Sequence, residues 1–271
     1  MGLLRDAVFS SLSRLGRLLE RAAALPSYAA AGTVRLEELR QAIRSEWDEA
    51  DANDSQAYIA SGLTFWERDL YLRLVKREDD ILVVGCGTGR ELLALLESGY
   101  RAVGLDLSPR AITVARRTLS DRGLATQLIT GAIETLPLAS RFDVVIFANH
   151  CYSYVPQSRV RIDTLRKVTA ALNPGGRIVV SYFVAQPPPS RLPMRLTQLV
   201  AWLSGADWRP EYGDVFRVAP HGRALGHYEH RFPAAEFEQE VRAAGLVSLF
   251  HDPNAGLAAL TDLEGAGVPA T

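Results

Sequence analysis

The stretch that decides the fold is Val84-Gly85-Cys86-Gly87-Thr88-Gly89-Arg90. It follows the apolar run Ile81–Val84, which has the length and composition of a buried strand, and a helical pattern begins at about Arg90. Glycine lets the backbone turn sharply and approach a ligand without a Cβ in the way. A strand, a glycine-rich turn and a helix in this order predict a ligand site at the carboxyl end of a parallel strand.

An acidic residue supports the ligand site. The next predicted strand, Ala102–Leu105, is followed directly by Asp106, whose carboxylate at this point can accept hydrogen bonds from both hydroxyls of a ribose. The dinucleotide pattern is not met, because Arg90 stands where a glycine or alanine allows close helix–strand packing around a pyrophosphate. The spacing G-x-G-x-G therefore favours a nucleoside without phosphates. The simpler alternative is that the glycines only form a tight turn and bind no ligand.

From residue 80 onward, short apolar runs alternate with helical patterns, which predicts a parallel sheet covered by helices on both faces. We predict an N-terminal helical extension at residues 1–78 and a Rossmann-like domain at residues 79–271. A long insertion at about 184–230 interrupts the second part. Loops of this length are usually functional or disordered, and the apolar content of the insertion favours an ordered cap after the fifth strand.

The stretch from about Ile81 to Phe183 resembles the core of the class I S-adenosylmethionine-dependent methyltransferases. Four motifs carry the resemblance, in the order of the family: Gly85–Gly89, Gly104–Pro109, Leu136–Pro137 before Phe142–Val145, and Leu172–Gly176. The resemblance implies an α/β fold with a mostly parallel seven-stranded sheet. It also implies methyl transfer from the sulfonium of S-adenosyl-L-methionine.

The resemblance also assigns residues to the cofactor. It implies that the glycine loop lines the methionine and ribose portion and that Asp106 holds the ribose. Backbone near Ile133 would meet the adenine ring, and Asn149 would lie under the methionine end. The predicted cofactor-binding residues are Gly85, Cys86, Gly87, Gly89, Asp106, Leu107, Ile133, Glu134 and Asn149.

Two positions depart from the pattern of the family. An acidic residue usually stands two positions before the first glycine, where this chain has Val83, and often after the glycine of the third motif, where it has Ala132. Each lost hydrogen bond to an uncharged group is worth about 0.5–1.5 kcal/mol, and Glu134 is a partial substitute for the second. A catalytically inactive relative with the same fold therefore stays open as an alternative.

Candidates for the acceptor site follow the fourth strand. Methyl transfer requires alignment of the acceptor, exclusion of water and, for a hydroxyl or a protonated amine, removal of a proton. We predict His150 and Tyr154 as catalytic residues, with His150 as the base because the ordinary pKa of histidine is near neutrality. A histidine held by structural hydrogen bonds is the alternative.

Two further clusters have open interpretations. In a strand over His227–His230, the two histidines would point to opposite faces, which argues against a metal site, and no metal is predicted. Trp202, Trp208 and Tyr212 in the insertion either line an apolar acceptor pocket or form a small core of their own. Tyr58 and Trp66 are candidates to close over the cofactor.

Composition narrows the function. The chain of 271 residues has 30 basic and 31 acidic residues, which argues against a nucleic-acid partner. Two cysteines are too few for a disulfide scaffold, so a cytoplasmic location is expected. Apolar residues from Leu4 to Ala22 recur at helical spacing, which predicts a helix packed on its own domain, a lid or a membrane-surface helix.

The predicted activity is methyl transfer from S-adenosyl-L-methionine to oxygen or nitrogen of a small, fairly hydrophobic acceptor. An inactive cofactor-binding or scaffold protein and a membrane-surface lipid methyltransferase are the alternatives. The sequence leaves the acceptor and the oligomeric state open.

Overall fold

The computed structural model describes residues 25–49, 55–139, 141–186, 191–218, 225–233 and 235–262, together with residues 9, 12, 13 and 16. Most of the predicted N-terminal helix from Leu4 to Ala22 therefore lies outside the described residues. The run Pro187–Pro189 lies wholly outside them. Within the described part, no helix combines the length and the hydropathy that a membrane crossing requires.

A mixed sheet forms the centre of the protein. The strands are β1 (Asp80–Val84), β2 (Arg101–Asp106), β3 (Leu128–Thr130), β4 (Phe142–Phe147), β5 (Leu172–Ser181), β6 (Asp214–Val218), β7 (Leu225–His230), β8 (Leu246–Asp252) and β9 (Leu257–Asp262). Seven of them pair in the order β3-β2-β1-β4-β5-β9-β8, while β6 and β7 form a separate hairpin. The first five are parallel, and β9 and β8 are antiparallel to their neighbours. The predicted mostly parallel seven-stranded sheet is confirmed.

Helices connect the strands. They are α1 (Leu36–Asp48), α2 (Gln56–Ala60), α3 (Phe65–Leu74), α4 (Arg90–Glu97), α5 (Pro109–Asp121), α6 (Ser158–Ala170), α7 (Arg191–Ser204) and α8 (Glu236–Ala243), with a short 3-10 helix at Cys151–Tyr154. The start of α5 follows its sequence signal. The Ser108 hydroxyl accepts a hydrogen bond from the Ala111 N–H at 2.9 Å, and Pro109 takes the first helical position.

The two faces of the sheet bury separate apolar clusters. Along β1, Leu82 and Val84 pack into one cluster, and Ile81 and Val83 pack into the other. This alternation follows from the pleat of a strand, which sends successive side chains to opposite faces. The carboxyl ends of β1, β2 and β4 are thereby fixed side by side, which prepares an edge for a ligand.

A third apolar cluster joins the N-terminal helices to the insertion. Leu39 and Ile43 of α1 pack with Trp208, Phe216 and Tyr228. The Trp208 indole N–H also donates to the Val34 carbonyl at 2.7 Å. The extension and the insertion are far apart in sequence but share a core, which the sequence pattern did not predict. The domain boundary at residue 78 stays a prediction.

Candidate cofactor and acceptor site

The glycine loop is fastened to β2 and leaves space on its other side. The Gly85 N–H donates to the Leu105 carbonyl at 2.8 Å. Gly85 has φ +74°, and a Cβ at this position would lie 2.6 Å from the Cβ of Cys151. At Gly87, with φ +54°, a Cβ would meet no atom within 4 Å. Close packing therefore requires the first glycine, whereas the second faces open space.

Asp106 links the loop to the end of β2. One carboxylate oxygen accepts the Gly87 N–H at 2.7 Å, and the other accepts the Ser108 N–H at 2.8 Å. The residue is only 9% exposed. Burial raises the pKa of Asp106, and the hydrogen bonds from Ser108 and Gly87 oppose this rise. Each oxygen keeps an acceptor position beyond its backbone partner.

An open cavity lies along this edge, at the carboxyl ends of β1, β2 and β4. Eight of the nine predicted cofactor residues line the cavity: Gly85, Cys86, Gly87, Asp106, Leu107, Ile133, Glu134 and Asn149. Gly89 does not line it but precedes α4, where a Cβ would lie 3.3 Å from Ala115.

One wall of the cavity has no recognisable signal in the sequence. Ile43 and Trp47 of α1 and Glu91 of α4 line it, together with Tyr58, which had been a candidate. Trp47 stands at the end of an apolar stripe in the sequence, but such a stripe does not reveal which strand edge it covers. Trp66 is not in the lining and lies 6.5 Å from the His150 ring, between centroids.

A buried charge cluster adjoins the glycine loop. The Arg90 guanidinium donates to both carboxylate oxygens of Glu67, at 2.7 and 2.6 Å, and to the Gly62 carbonyl at 2.6 Å. Burial opposes ionisation of Glu67, but the hydrogen bonds from Arg90 outweigh it and lower the pKa of Glu67 to about 2. Arg90, whose bulk argues against a dinucleotide, therefore ties the glycine loop to α3.

The segment after β4 turns sharply. Asn149 and His150 have φ +43° and +62°, an uncommon conformation for residues other than glycine that is often found at functional sites. The His150 N–H donates to the Ser181 hydroxyl at 2.8 Å, and its ring stacks on Phe183 at 4.5 Å between centroids. Burial lowers the pKa of His150, which keeps the imidazole neutral near pH 7. His150 adjoins the cavity in sequence but is not among its lining residues.

Tyr154 is the catalytic candidate that does line the cavity. Its ring packs edge-on against Trp47 at 5.2 Å and against Phe183 at 6.0 Å, between centroids. Burial, helped by the charges of Glu229 and Glu46, raises the pKa of the Tyr154 hydroxyl. Tyr154 therefore stays protonated at neutral pH and presents an O–H group and an aromatic edge.

The insertion reaches this region through β7. His227 lies 6.4 Å from Tyr154 between ring centroids, and its Nδ1 lies 2.5 Å from a Glu46 carboxylate oxygen. The neighbouring carboxylates of Glu229 and Glu46 raise the pKa of His227 to about 9, against the effect of burial. The imidazole of His227 is therefore protonated at neutral pH and lies beside the Tyr154 ring.

The other face of β7 carries an ion cluster. Glu211, His230 and Glu236 have ligand atoms within 4.8 Å of one another, a spacing that suits a metal. However, Arg161 places a guanidinium nitrogen 3.1 Å from Glu211 and 3.5 Å from Glu236. This buried cation already supplies positive charge to the group.

The tryptophans of the insertion do not line the cofactor cavity. Trp208 is buried in the cluster that the insertion shares with α1, as the small-core alternative predicted. Trp202 is 77% exposed, and Tyr212 lies against the Arg191 guanidinium at 5.5 Å. In the cavity beside the glycine loop, α1 occupies that side instead; that Trp202, Trp208 and Tyr212 line an acceptor pocket stays a prediction, and the three residues line a second cavity together.

Fold and site together define a class of protein. The sheet order, the glycine loop after β1 and the carboxylate after β2 are typical of a Rossmann-like fold that holds a nucleoside cofactor at the carboxyl edge.

Comparisons with known proteins agree with this class. Residues 81–176 match a family described as a methyltransferase domain. Cypemycin N-terminal methyltransferase from a Streptomyces species is 31% identical over 35% of this chain and 38% of its own length. Demethylmenaquinone methyltransferase from Thermus thermophilus is 32% identical over 49% of this chain and 59% of its own length.

A solved structure extends the likeness of fold. CalS10 from Micromonospora echinaspora, an amino pentose methyltransferase solved with S-adenosylmethionine bound, is 21% identical with a TM-score of 0.52. The match covers 76% of this chain and 94% of CalS10. Residues 81–176 thus resemble a methyltransferase domain, and the fold of the chain is that of solved methyltransferase structures.

Proposed function

We propose that this protein binds S-adenosyl-L-methionine and transfers its methyl group to oxygen or nitrogen of a small, fairly hydrophobic acceptor. The observation that carries the proposal is the cavity where the glycine loop, Asp106 and Tyr154 meet. The cofactor supplies a methyl group activated by a positively charged sulfur.

The residues present fit this cofactor. Asp106 keeps acceptor positions for the two ribose hydroxyls, and the open space beside Gly87 leaves room for the sugar and the chain attached to it. The side chains of Leu107 and Ile133 provide apolar surface for a flat base. Lys167 donates to the Ile133 and Leu136 carbonyls, which fixes the backbone at that end.

The acceptor would lie beside Tyr154 and Trp47. Their rings give an apolar wall that excludes water, which favours a hydrophobic acceptor. His150 is the proposed base, because burial holds it in the neutral form that can take a proton. One face of the ring stacks on Phe183, so a bound acceptor has to reach the ring from another direction.

The first experiment is a paired measurement on one protein preparation. Calorimetry with S-adenosyl-L-homocysteine measures binding at the cofactor site. Methyl transfer is measured as the S-adenosyl-L-homocysteine formed from S-adenosyl-L-methionine in the presence of each compound of an acceptor panel. Amines, phenols and hydroxylated apolar compounds should be included as acceptors. Binding with turnover of at least one acceptor is expected. Failure to bind S-adenosyl-L-homocysteine would contradict the proposal.

A membrane-surface lipid methyltransferase is the second candidate. One observation favours it: α7 exposes four large apolar residues, Leu192, Leu199, Trp202 and Leu203. The α-helical repeat brings the first two, seven positions apart, to a common face. Sedimentation with anionic lipid vesicles tests this candidate. Binding that is lost in Trp202→Ser would support it, and absence of binding would contradict it.

An inactive cofactor-binding protein is the third candidate. Val83 is fully buried in an apolar cluster and offers no polar group, as the departure from the family pattern suggested. Binding of S-adenosyl-L-homocysteine without turnover across the panel would favour this candidate. We also propose a cytoplasmic location, because Cys86 and Cys151 are both free thiols.

A further inference from the structure

The turn after β4 has a backbone conformation that other contacts must maintain. Asn149 and His150 both have positive φ angles, +43° and +62°, and such residues keep this conformation only where the surrounding structure holds it. Asn149 lines the cavity, and His150 follows it directly. The place of the Asn149 side chain at the cavity therefore depends on whatever fixes this turn.

Ser181, the last residue of β5, holds the turn from the neighbouring strand. Its hydroxyl accepts a hydrogen bond from the His150 N–H at 2.8 Å and donates one to the Phe147 carbonyl at 3.1 Å. A hydroxyl has a single proton, so donation to Phe147 leaves its lone pairs for His150. Ser181 is 1% exposed, and water therefore has no access to replace the hydroxyl.

A second buried hydroxyl fastens the same segment. Ser153 is fully buried, and its hydroxyl accepts the Phe183 N–H at 2.9 Å. The Ser153 N–H donates to the His150 carbonyl at 2.9 Å. Both hydroxyls thus join the segment after β4 to the end of β5, and the hydroxyl of Ser181 is the one that contacts the left-handed residues themselves.

The segment also packs on the glycine loop. The Cys151 thiol donates to the Val84 carbonyl at 3.1 Å, and a Cβ at Gly85 would lie 2.6 Å from the Cβ of Cys151. The turn is therefore held between the glycine loop and β5. Release of the contact with β5 would let Asn149 move relative to the glycine loop.

We propose that Ser181 is a positioning residue of the methyl transfer: its hydroxyl fixes Asn149 and His150, and these align the methionine end of the cofactor with the acceptor. This inference rests on the proposed function, in which Asn149 lies under the methionine end and His150 is the base. Ser181 acts through these two residues, because it is not among the residues that line the cavity. Without the hydroxyl, the His150 N–H loses its acceptor and the turn relaxes toward negative φ.

Calorimetry on Ser181→Ala tests the inference. Two ligands are compared: S-adenosyl-L-homocysteine, which has the amino-acid end, and 5′-methylthioadenosine, which lacks it. We expect the first to bind about 5- to 150-fold more weakly, the change in affinity that corresponds to the usual cost of one strained residue. The second should bind as it does to the wild type, because it does not reach the turn.

A rescue variant and a matched control make the result specific. Ser181→Thr restores the hydroxyl, and a β-branched residue suits a strand, so this variant should recover most of the affinity. Thr261 is also buried, and its hydroxyl donates to the Gly176 carbonyl at 3.1 Å, but β9 runs antiparallel to β5 and places Thr261 toward the opposite end of the sheet. Thr261→Val should therefore alter the binding of neither ligand. Urea unfolding shows whether each variant is folded.

Turnover provides a second measurement. With an acceptor that the wild type methylates, and with saturating S-adenosyl-L-methionine, Ser181→Ala should lower kcat by about 10- to 100-fold, the cost of a small misalignment of the reacting groups. Thr261→Val should leave kcat unchanged. A purely structural role of Ser181 would lower the free energy of unfolding in both variants without this split in kcat.

The outcomes separate the two proposals. If the wild type binds neither ligand, the proposed function fails. If the wild type binds S-adenosyl-L-homocysteine and folded Ser181→Ala binds it equally well, the function stands and the role of Ser181 is refuted. Equal losses for both ligands, or a loss that folded Ser181→Thr does not recover, would also refute it. If Ser181→Ala does not fold, Ser181→Cys replaces it: the thiol is a weaker acceptor of similar size, so a smaller loss of the same selectivity is expected, and wild-type affinity would refute the role.

Discussion

Replacing Asp106 by alanine should separate a ligand-binding carboxylate from a merely structural one. The substitution removes the acceptor for the proposed ribose hydroxyls, and hydrogen bonds to charged groups are worth about 1.5–3 kcal/mol. Because 1.4 kcal/mol is about a tenfold change in affinity, we expect S-adenosyl-L-homocysteine to bind about 10- to 150-fold more weakly. Calorimetry at fixed pH and salt measures this change directly.

The same substitution has a structural cost that the structure allows us to estimate. Ser108 is fully buried, and its N–H loses its carboxylate acceptor, at a cost of about 1–3 kcal/mol in the free energy of unfolding. The Gly87 N–H is partly accessible to water and should cost less. Urea unfolding measures this effect separately, and Asp121→Ala, at an exposed helix end, is the matched control. A folded Asp106→Ala protein with wild-type affinity would refute the role of Asp106.

Four other predictions follow from the same geometry. Gly87→Val should abolish cofactor binding while far-UV dichroism stays native, because the new side chain fills the open space beside the loop. His150→Ala should lower turnover by about 10²–10⁴-fold with little change in cofactor affinity; a loss below about tenfold would leave alignment as the explanation. Trp208→Ala should lower the free energy of unfolding by about 3–5 kcal/mol, whereas the exposed Trp202→Ala should change it by less than about 0.5 kcal/mol. The raised pKa of His227, about 9, implies stabilisation that is complete below its ordinary pKa of 6.5 and is lost as the pH rises through 9; thermal unfolding of His227→Gln should lack this dependence.

Local patterns predicted the centre of the fold well. The strand at Ile81–Val84, the glycine turn and the Ser108–Pro109 helix start each have a signal within a few residues, because backbone geometry dictates the residue types there. The order of these signals was enough to predict the parallel part of the sheet. The placement of Asp106 at its edge follows from the same reasoning.

The walls of the cavity were harder to predict. Trp47 and Trp208 both carry an apolar signal, yet Trp47 lines the cavity and Trp208 packs in a core. The difference depends on how α1 packs on β7, a contact between segments about 180 residues apart in the chain, as the His227–Glu46 pair illustrates. Periodicity reports which face of an element is buried, not what buries it.

The buried charges show the same limit. Arg90 and Glu91 begin a helix and read as ordinary helix-start residues in the sequence. Only α3, which brings Glu67 against Arg90, creates the buried ion pair between them. Spacing alone does not show this arrangement, because it depends on tertiary packing.

The measurement that tests the central claim most directly is titration of the wild-type protein with S-adenosyl-L-homocysteine, with an adenine dinucleotide titrated in parallel. One molecule of S-adenosyl-L-homocysteine should bind per chain, and the dinucleotide should bind much more weakly, because Arg90 stands where close packing around a pyrophosphate requires a small residue. Tight binding of the dinucleotide, or no binding of S-adenosyl-L-homocysteine by the folded protein, would contradict this expectation.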